Sequence, residues 1–213
     1  MLIFIANPSG RLIHYSRASG KTKVLLDKIW FTNGVALSPA EDFLVVSDQG
    51  RSKIVKVWLK DEKRGETETF AEGIPGVPDN LSSDKNGVWT ALAVAVDPQH
   101  PLLTQSLANI PYGRKFIARI LSLIELLFIS IDKVVPNNFS KNMAHLTGSN
   151  EMGKHVTPNR CTILRFDWNG NIIAAYHGTG QCGYTHVLEL DGHLYLGSFT
   201  NDHIAKVVKR AHL

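Results

Sequence analysis

Three residues stand out for the chemistry their side chains could do together. Asn33, Asp79 and Asn80 each place an oxygen donor immediately ahead of a short apolar segment, in Thr32-Asn33-Gly34-Val35-Ala36-Leu37 and in Pro78-Asp79-Asn80-Leu81. Oxygen donors converging from separate segments suit a hard cation such as calcium, which takes about six to eight oxygen ligands. Such an ion could polarise a carbonyl and stabilise the oxyanion of an ester or lactone under attack. The same residues also spell ordinary turns, since Asn-Gly favours tight hairpins and Pro-Asp-Asn is turn chemistry, and spacing alone favours turns. His177 and His186 are candidates for a base or a ligand, because imidazole titrates near neutrality. His193, within Gly192-His193-Leu194-Tyr195, reads as structural. No serine or cysteine nucleophile is visibly paired with a histidine, and the Gly-x-Ser-x-Gly elbow is absent.

Strands must position these residues. β-branched and aromatic runs separated by Gly, Pro, Asn and Asp predict strands at 12–15, 23–26, 34–37, 43–47, 54–58, 68–71, 88–94, 162–167, 172–176, 187–190 and 193–198. A weak repeat underlies them. Units starting at Phe31, Val77 and Tyr184 each run from a polar residue through an apolar strand and an Asp or Gly turn into a second apolar strand. Asn33 and Asn80 stand 47 residues apart, near the roughly 40 to 50 of one four-stranded propeller blade. The longer interval to Thr185 fits one blade carrying a helical insertion of about residues 98–158. Outer strand pairs, at Arg11 to Leu26 and Thr162 to Tyr176, alternate with these inner pairs. The expectation is an all-β chain of three to four propeller blades: blades over 10–97, the insertion at 98–158 and a last blade region at 159–213. A closed ring needs about four to eight blades, so this propeller reads as incomplete. Asn33, Asp79 and Asn80 then fall at the innermost strands, where side chains converge on the axis.

Within the insertion, Ile117, Ile120, Leu121, Ile124, Phe128 and Ile131 recur at helical spacing, predicting an amphipathic helix over 117–135. Arg119, Glu125, Asp132 and Lys133 exclude a membrane span there. The helix reads as packed on its own domain, with contact to a membrane surface or partner as the other possibility.

Composition excludes disorder and low complexity: 213 residues, 44% hydrophobic and 20% charged. The net charge of +4 is dispersed, with the densest run, Arg51 to Arg64, alternating with Val55, Val57 and Leu59 as a strand's solvent face; no nucleic-acid partner is expected. Cys161 and Cys182 cannot form a disulfide scaffold; two buried or free thiols is the simpler reading, and one bridge is possible. The opening Met1-Leu-Ile-Phe-Ile-Ala lacks the features of a secretory leader. Sequons occur at Asn80 and Asn138. Asn138, after Pro136, reads as a loop residue open to glycosylation, whereas an axial Asn80 would be closed to it.

Thr32-Asn33-Gly34-Val35-Ala36-Leu37-Ser38-Pro39-Ala40-Glu41-Asp42-Phe43, Gly76-Val77-Pro78-Asp79-Asn80 and Asp191-Gly192-His193-Leu194-Tyr195-Leu196-Gly197-Ser198-Phe199 resemble the strictosidine synthase-like family, in its adipocyte plasma membrane-associated protein and hemomucin group. The similarity runs from about Gly10 to Val207. It implies a six-bladed β-propeller with an N-terminal membrane anchor and a lumenal or extracellular catalytic-type domain. It further implies that the chain begins inside the third blade, with the anchor and the first two to three blades absent. Related propellers of the paraoxonase and gluconolactonase type hold calcium at positions matching Asn33, Asp79 and Asn80, which reverses the preference for turns. Their remaining ligands come from earlier blades, so calcium binding by this chain alone is expected to be weak or absent. The catalytic glutamate of strictosidine synthase matches Thr185 here, with Glu189 displaced by four residues along the strand. A threonine cannot serve as general acid and base, which excludes alkaloid synthesis. The group implies arylesterase-like hydrolysis of a small-molecule ester or lactone by the complete protein. A non-catalytic, membrane-anchored surface or adhesion propeller is the alternative, and an inactive fragment is the expectation for these residues alone.

Overall fold

The computed structural model describes residues 8–97, 110–148, 159–180 and 182–209. It divides into two compact units, one containing the described helices of the insertion and the other containing all the described strands.

The strand unit is a succession of antiparallel meanders. β1 (Gly10–Ser16) pairs β2 (Lys21–Ile29) as a two-stranded sheet. β3 (Thr32–Leu37), β4 (Phe43–Asp48), β5 (Lys53–Trp58) and β6 (Thr67–Ala71) form a four-stranded sheet in chain order. β7 (Gly76–Asp84), β8 (Gly87–Ala95), β9 (Arg160–Phe166) and β10 (Ile172–Thr179) form another, and β11 (Tyr184–Leu190), β12 (His193–Ser198) and β13 (Ala205–Val208) a three-stranded one. The insertion leaves and re-enters between β8 and β9, which still pair in register from Val88↔Phe166 to Leu92↔Thr162. Residues 98–109 and 149–158, at the expected ends of the insertion, lie outside the described residues.

The period-2 alternation of strands explains how the sheets stack. On β8, Val88 and Leu92 face a core shared with Phe43, Val45, Ile54 and Phe70 of the preceding sheet, while Trp89 and Ala91 face a second core with Val187, Leu194 and Leu196 of the following one. A third cluster, Ile29, Val46 and Val55 with Leu12 and Leu26, joins the first two sheets. Each central sheet is covered on both faces, so β4 is buried along its whole length and reads as an uninterrupted apolar run. Successive meanders stacked face to face, with the first strand of each on one common side, are propeller blades.

Two strands escape the sequence pattern. β7 contains Pro78, which argues against a strand, but β7 is the edge strand of its sheet and kinks through irregularities at Val77/Pro78 and Pro78/Leu81, so the missing N–H breaks no ladder. β13 spans only four residues.

Among the described helices, α1 (Pro111–Val134) starts earlier than the predicted 117, with Pro111 in its first turn where the absent N–H has no intrahelical role. Asn138 is not in a loop: it opens a second helix, α2 (Asn138–Gly148), although its side chain is exposed. The Asn137 side chain accepts the Ser140 backbone N–H at 2.8 Å, an N-cap that the reading at Pro136 overlooked. Phe139 packs edge-on against Phe128, with ring centres 5.9 Å apart.

The cysteines are paired, contrary to the simpler reading of free thiols. The antiparallel return of β10 along β9 sets Gly178 opposite Cys161, and the chain leaving β10 brings Cys182 to a Cα–Cα distance of 5.0 Å, where it bonds Cys161.

Candidate functional site

The turn reading of the oxygen donors fails. Asn33 and Gly34 lie inside β3, and Pro78, Asp79 and Asn80 lie inside β7. These are the first strands of adjacent blades, and they touch. An ideal Cβ on Gly34 would fall 2.3 Å from the Leu81 backbone nitrogen and 2.6 Å from the Asp79 carbonyl oxygen. Gly34 is therefore a spacing requirement: only a bare backbone lets β3 approach β7 closely enough for Asn33 to reach Asp79.

That reach is realised. The Asn33 Nδ2 donates to the Asp79 carboxylate, 46 residues away in the chain. Asp79 is 7% exposed, and burial pushes its carboxyl up to about 6, against the lowering effect of hydrogen bonds from the Gln49 and Asn33 side chains. Both partners are neutral amides, so no cation among them offsets the charge.

Gln49 was not anticipated from the sequence. It opens the 3₁₀ turn Gln49–Arg51 after β4, is buried, and its Oε1 has no hydrogen-bond partner. The signals that could have marked it are the adjoining Gly50, which lies against the Trp30 ring, and Asp48, which pairs with Arg51 at 2.6 Å and accepts the Trp30 backbone N–H at 3.2 Å.

Asn80 faces the following blade. Its Nδ2 donates to the Thr185 carbonyl on β11 at 3.1 Å. Two residues along, on the same side of β7, the Ser82 hydroxyl donates to the Val187 carbonyl. Thr185 thus contributes its backbone to a ladder joining two blades. The Asn80 sequon is engaged in this contact.

The histidines do not join the cluster. His177 lies on β10, the outer edge of a sheet whose inner edge carries Asp79, and its Nδ1 is 3.0 Å from the Thr162 hydroxyl. His186 is on the innermost strand β11, next to Thr185, with an exposed side chain opposite Gly197. His193 is held through its ring Nδ1, 2.8 Å from the Asp191 carbonyl.

Glu189 has a different occupation. The buried Arg165 binds both oxygens of Asp84, at 2.9 and 2.7 Å, and also Glu189; Trp89 Nε1 donates to Glu189 at 3.0 Å, and Lys209 reaches its other oxygen. The Arg165 guanidinium stacks 4.8 Å over the Trp89 ring. Burial alone would raise the Glu189 carboxyl, but these hydrogen bonds and cations hold it below its ordinary value. Glu189 is a structural counter-charge between blades.

The cluster fits a hard cation in donor type. Every candidate donor is an oxygen from a carboxylate or an amide, one buried carboxylate lacks a charged partner, and one buried amide oxygen is orphaned. It supplies one carboxylate, and among the described residues no three His, Cys, Asp or Glu side chains cluster to hold a metal, here or elsewhere.

The family profile described as strictosidine synthase matches residues 1–62. The adipocyte plasma membrane-associated protein Hemomucin of Drosophila melanogaster is 44% identical over 204 residues, covering 95% of this chain and 35% of that protein. The chain belongs to the strictosidine synthase-like family. The adipocyte plasma membrane-associated protein of Mus musculus is 29% identical over 212 residues, covering 97% of this chain and 44% of that protein. The chain spans between about a third and a half of the length of these family members. Among solved structures, regucalcin of Agrobacterium tumefaciens, described as a calcium-binding protein, superposes with a TM-score of 0.48 at 16% identity, covering 93% of this chain and 48% of that one.

Proposed function

We propose that the propeller to which this chain contributes is a calcium-assisted hydrolase of small esters or lactones, with Asn33, Asp79 and Asn80 as its share of the metal site. The observation that carries the reading is the buried, uncompensated Asp79 carboxylate held at the junction of two innermost strands by Asn33 and Gln49. A bound cation would offset the desolvation of that carboxylate, which the Asn33 and Gln49 hydrogen bonds counter only in part. Asp79, with the side-chain oxygens of Asn33 and Asn80, would hold the ion, and further oxygen donors would complete the shell. When bound, calcium would supply Lewis-acid polarisation of a carbonyl and a fixed positive charge for the developing oxyanion.

The chain's own residues prepare that position. Asn33 fixes the orientation of the carboxylate by donating to it. Asn80 and Ser82 tie β7 to the backbone of β11, so the donors sit on strands rather than loops and need little reorganisation to act. His186, exposed beside Thr185, is the better-placed of the two histidines to accept a proton from an attacking water; His177, at the outer edge, is not positioned for it. Amine–aldehyde condensation of the strictosidine type is not part of this proposal, because Thr185 offers no titrating group.

A second reading, a non-catalytic binding propeller at the membrane, is favoured by one observation: His177 is turned to Thr162 and neither histidine is hydrogen-bonded to Asp79. The relatives are named as plasma membrane-associated, which fits either reading. Hydrolysis of phenyl acetate by the full-length gene product separates them. Activity that requires added calcium and is lost in Asn33→Ala supports the hydrolase; calcium-independent absence of turnover rejects it.

A further inference from the structure

Helix α1 carries two apolar faces, and α2 accounts for only one. Leu121, Ile124 and Phe128 are half-buried in the helix pair, with Phe128 against Phe139 of α2. On another side, Tyr112, Phe116, Leu123, Leu127 and Val134 recur at spacings of four and seven residues, which is one stripe of an α-helix. These five side chains are 57 to 83% exposed. Leu126 widens the stripe, and Ala118, Arg119, Ser122, Leu123 and Leu126 line an open groove beside it.

The charges on α1 are segregated about this stripe. At 3.6 residues per turn, Lys115, Arg119 and Lys133 lie along its border, whereas Glu125 and Asp132 fall on the other side of the helix. Asp132 accepts the Asn137 backbone N–H at 3.0 Å, and Glu125 approaches Gly148 of α2. At the start of the stripe Lys115 sits 5.9 Å over the Tyr112 ring, an aromatic–cation pair of the kind that occupies the headgroup layer of a bilayer.

We propose that α1 lies flat on an anionic membrane surface, its Tyr112–Phe116–Leu123–Leu127–Val134 stripe entering the headgroup–acyl boundary and Lys115, Arg119 and Lys133 pairing with lipid phosphates and carboxylates. Apolar residues on one face with cations at its border are the pattern of an interfacial helix. A helix of 24 residues is about 36 Å long, so it offers several anchors in one plane; no described helix is long and apolar enough to cross a membrane. A second copy of the chain is the less suitable occupant, because stripe-to-stripe pairing would bring the cationic borders of both helices together without a carboxylate between them. The proposal is independent of the hydrolase reading.

Co-sedimentation of the 213-residue protein with phosphatidylcholine vesicles containing about 30% phosphatidylserine, beside pure phosphatidylcholine vesicles, tests it. The wild-type chain is expected to pellet with the anionic vesicles, and binding should fall about tenfold or more in Leu123→Glu/Leu127→Glu and in Lys115→Glu/Arg119→Glu. All four positions are exposed, and the near-ultraviolet circular dichroism of each variant checks its fold. As a second measurement, Tyr112→Cys carrying an environment-sensitive dye should shift to the blue on adding anionic vesicles; Cys161 and Cys182 are paired, so labelling is confined to position 112. Failure to pellet, equal binding by the Leu123→Glu/Leu127→Glu variant, an unshifted dye, or a stripe-dependent dimer without vesicles would each overturn the proposal.

Discussion

Asn33 and Asp79 are hydrogen-bonded through their side chains across the first strands of adjacent blades. Neither residue could reach the other if position 34 carried a Cβ, because β3 and β7 would be held apart there. The pair therefore depends on a backbone contact that is itself part of the fold.

Gly34→Ala should be among the most destabilising single-methyl changes in the chain. The added carbon would overlap backbone atoms of Leu81 and Asp79, not a movable side chain, so relief requires separating two blades. A loss of about 3 kcal/mol is expected by urea unfolding, at the upper end of what overpacking costs.

Asp79→Asn should stabilise the calcium-free chain near pH 7 by about 1–3 kcal/mol, since it removes a buried charge while keeping the shape and an acceptor. The same change should abolish any rise in Tm produced by calcium. Thermal unfolding with calcium and with EDTA, run on both proteins, checks the two effects together.

The pH dependence has a definite sign. Folding raises the Asp79 carboxyl from 3.8 to about 6, so between these values the folded chain binds more protons than the unfolded one. Its contribution to stability is largest below pH 3.8 and is lost as pH rises through about 6. In EDTA, the stability gap between Asp79→Asn and wild type should widen from pH 4 to pH 7, as measured by urea unfolding across that range. A gap that narrows contradicts the assignment.

Arg165→Met should cost about 3–5 kcal/mol, because it strands Asp84 and Glu189 without their shared cation at a blade interface. Glu189→Gln should lower stability yet leave ester turnover per folded molecule unchanged. Unfolding curves and steady-state rates on the same samples distinguish a structural Glu189 from a catalytic one.

Much of the blade architecture is legible in the amino-acid sequence. The uninterrupted run Phe43-Leu44-Val45-Val46 and the near-continuous Val88-Trp89-Thr90-Ala91 mark strands, buried on both faces in the fold, and the recurrence of Asn33 and Asn80 marks equivalent strands of successive blades. What misled was local chemistry. Asn33-Gly34 has the composition of a hairpin turn, but tertiary contact with β7 keeps it extended; Pro78 looks like a strand breaker, but it sits on an edge. Gln49 and Arg165 carry no functional motif, because each acts through partners many residues away, Asp79 for one and Asp84 and Glu189 for the other. The Cys161–Cys182 bond likewise depends on where β10 returns the chain.

Isothermal titration of calcium into the full-length gene product and its Asp79→Asn variant tests the central claim most directly. One calcium ion bound by the wild-type protein and none at the equivalent site of Asp79→Asn, with both proteins folded, is the predicted result. No calcium binding by wild type, or the same binding in both proteins, would contradict a cation site built on Asn33, Asp79 and Asn80.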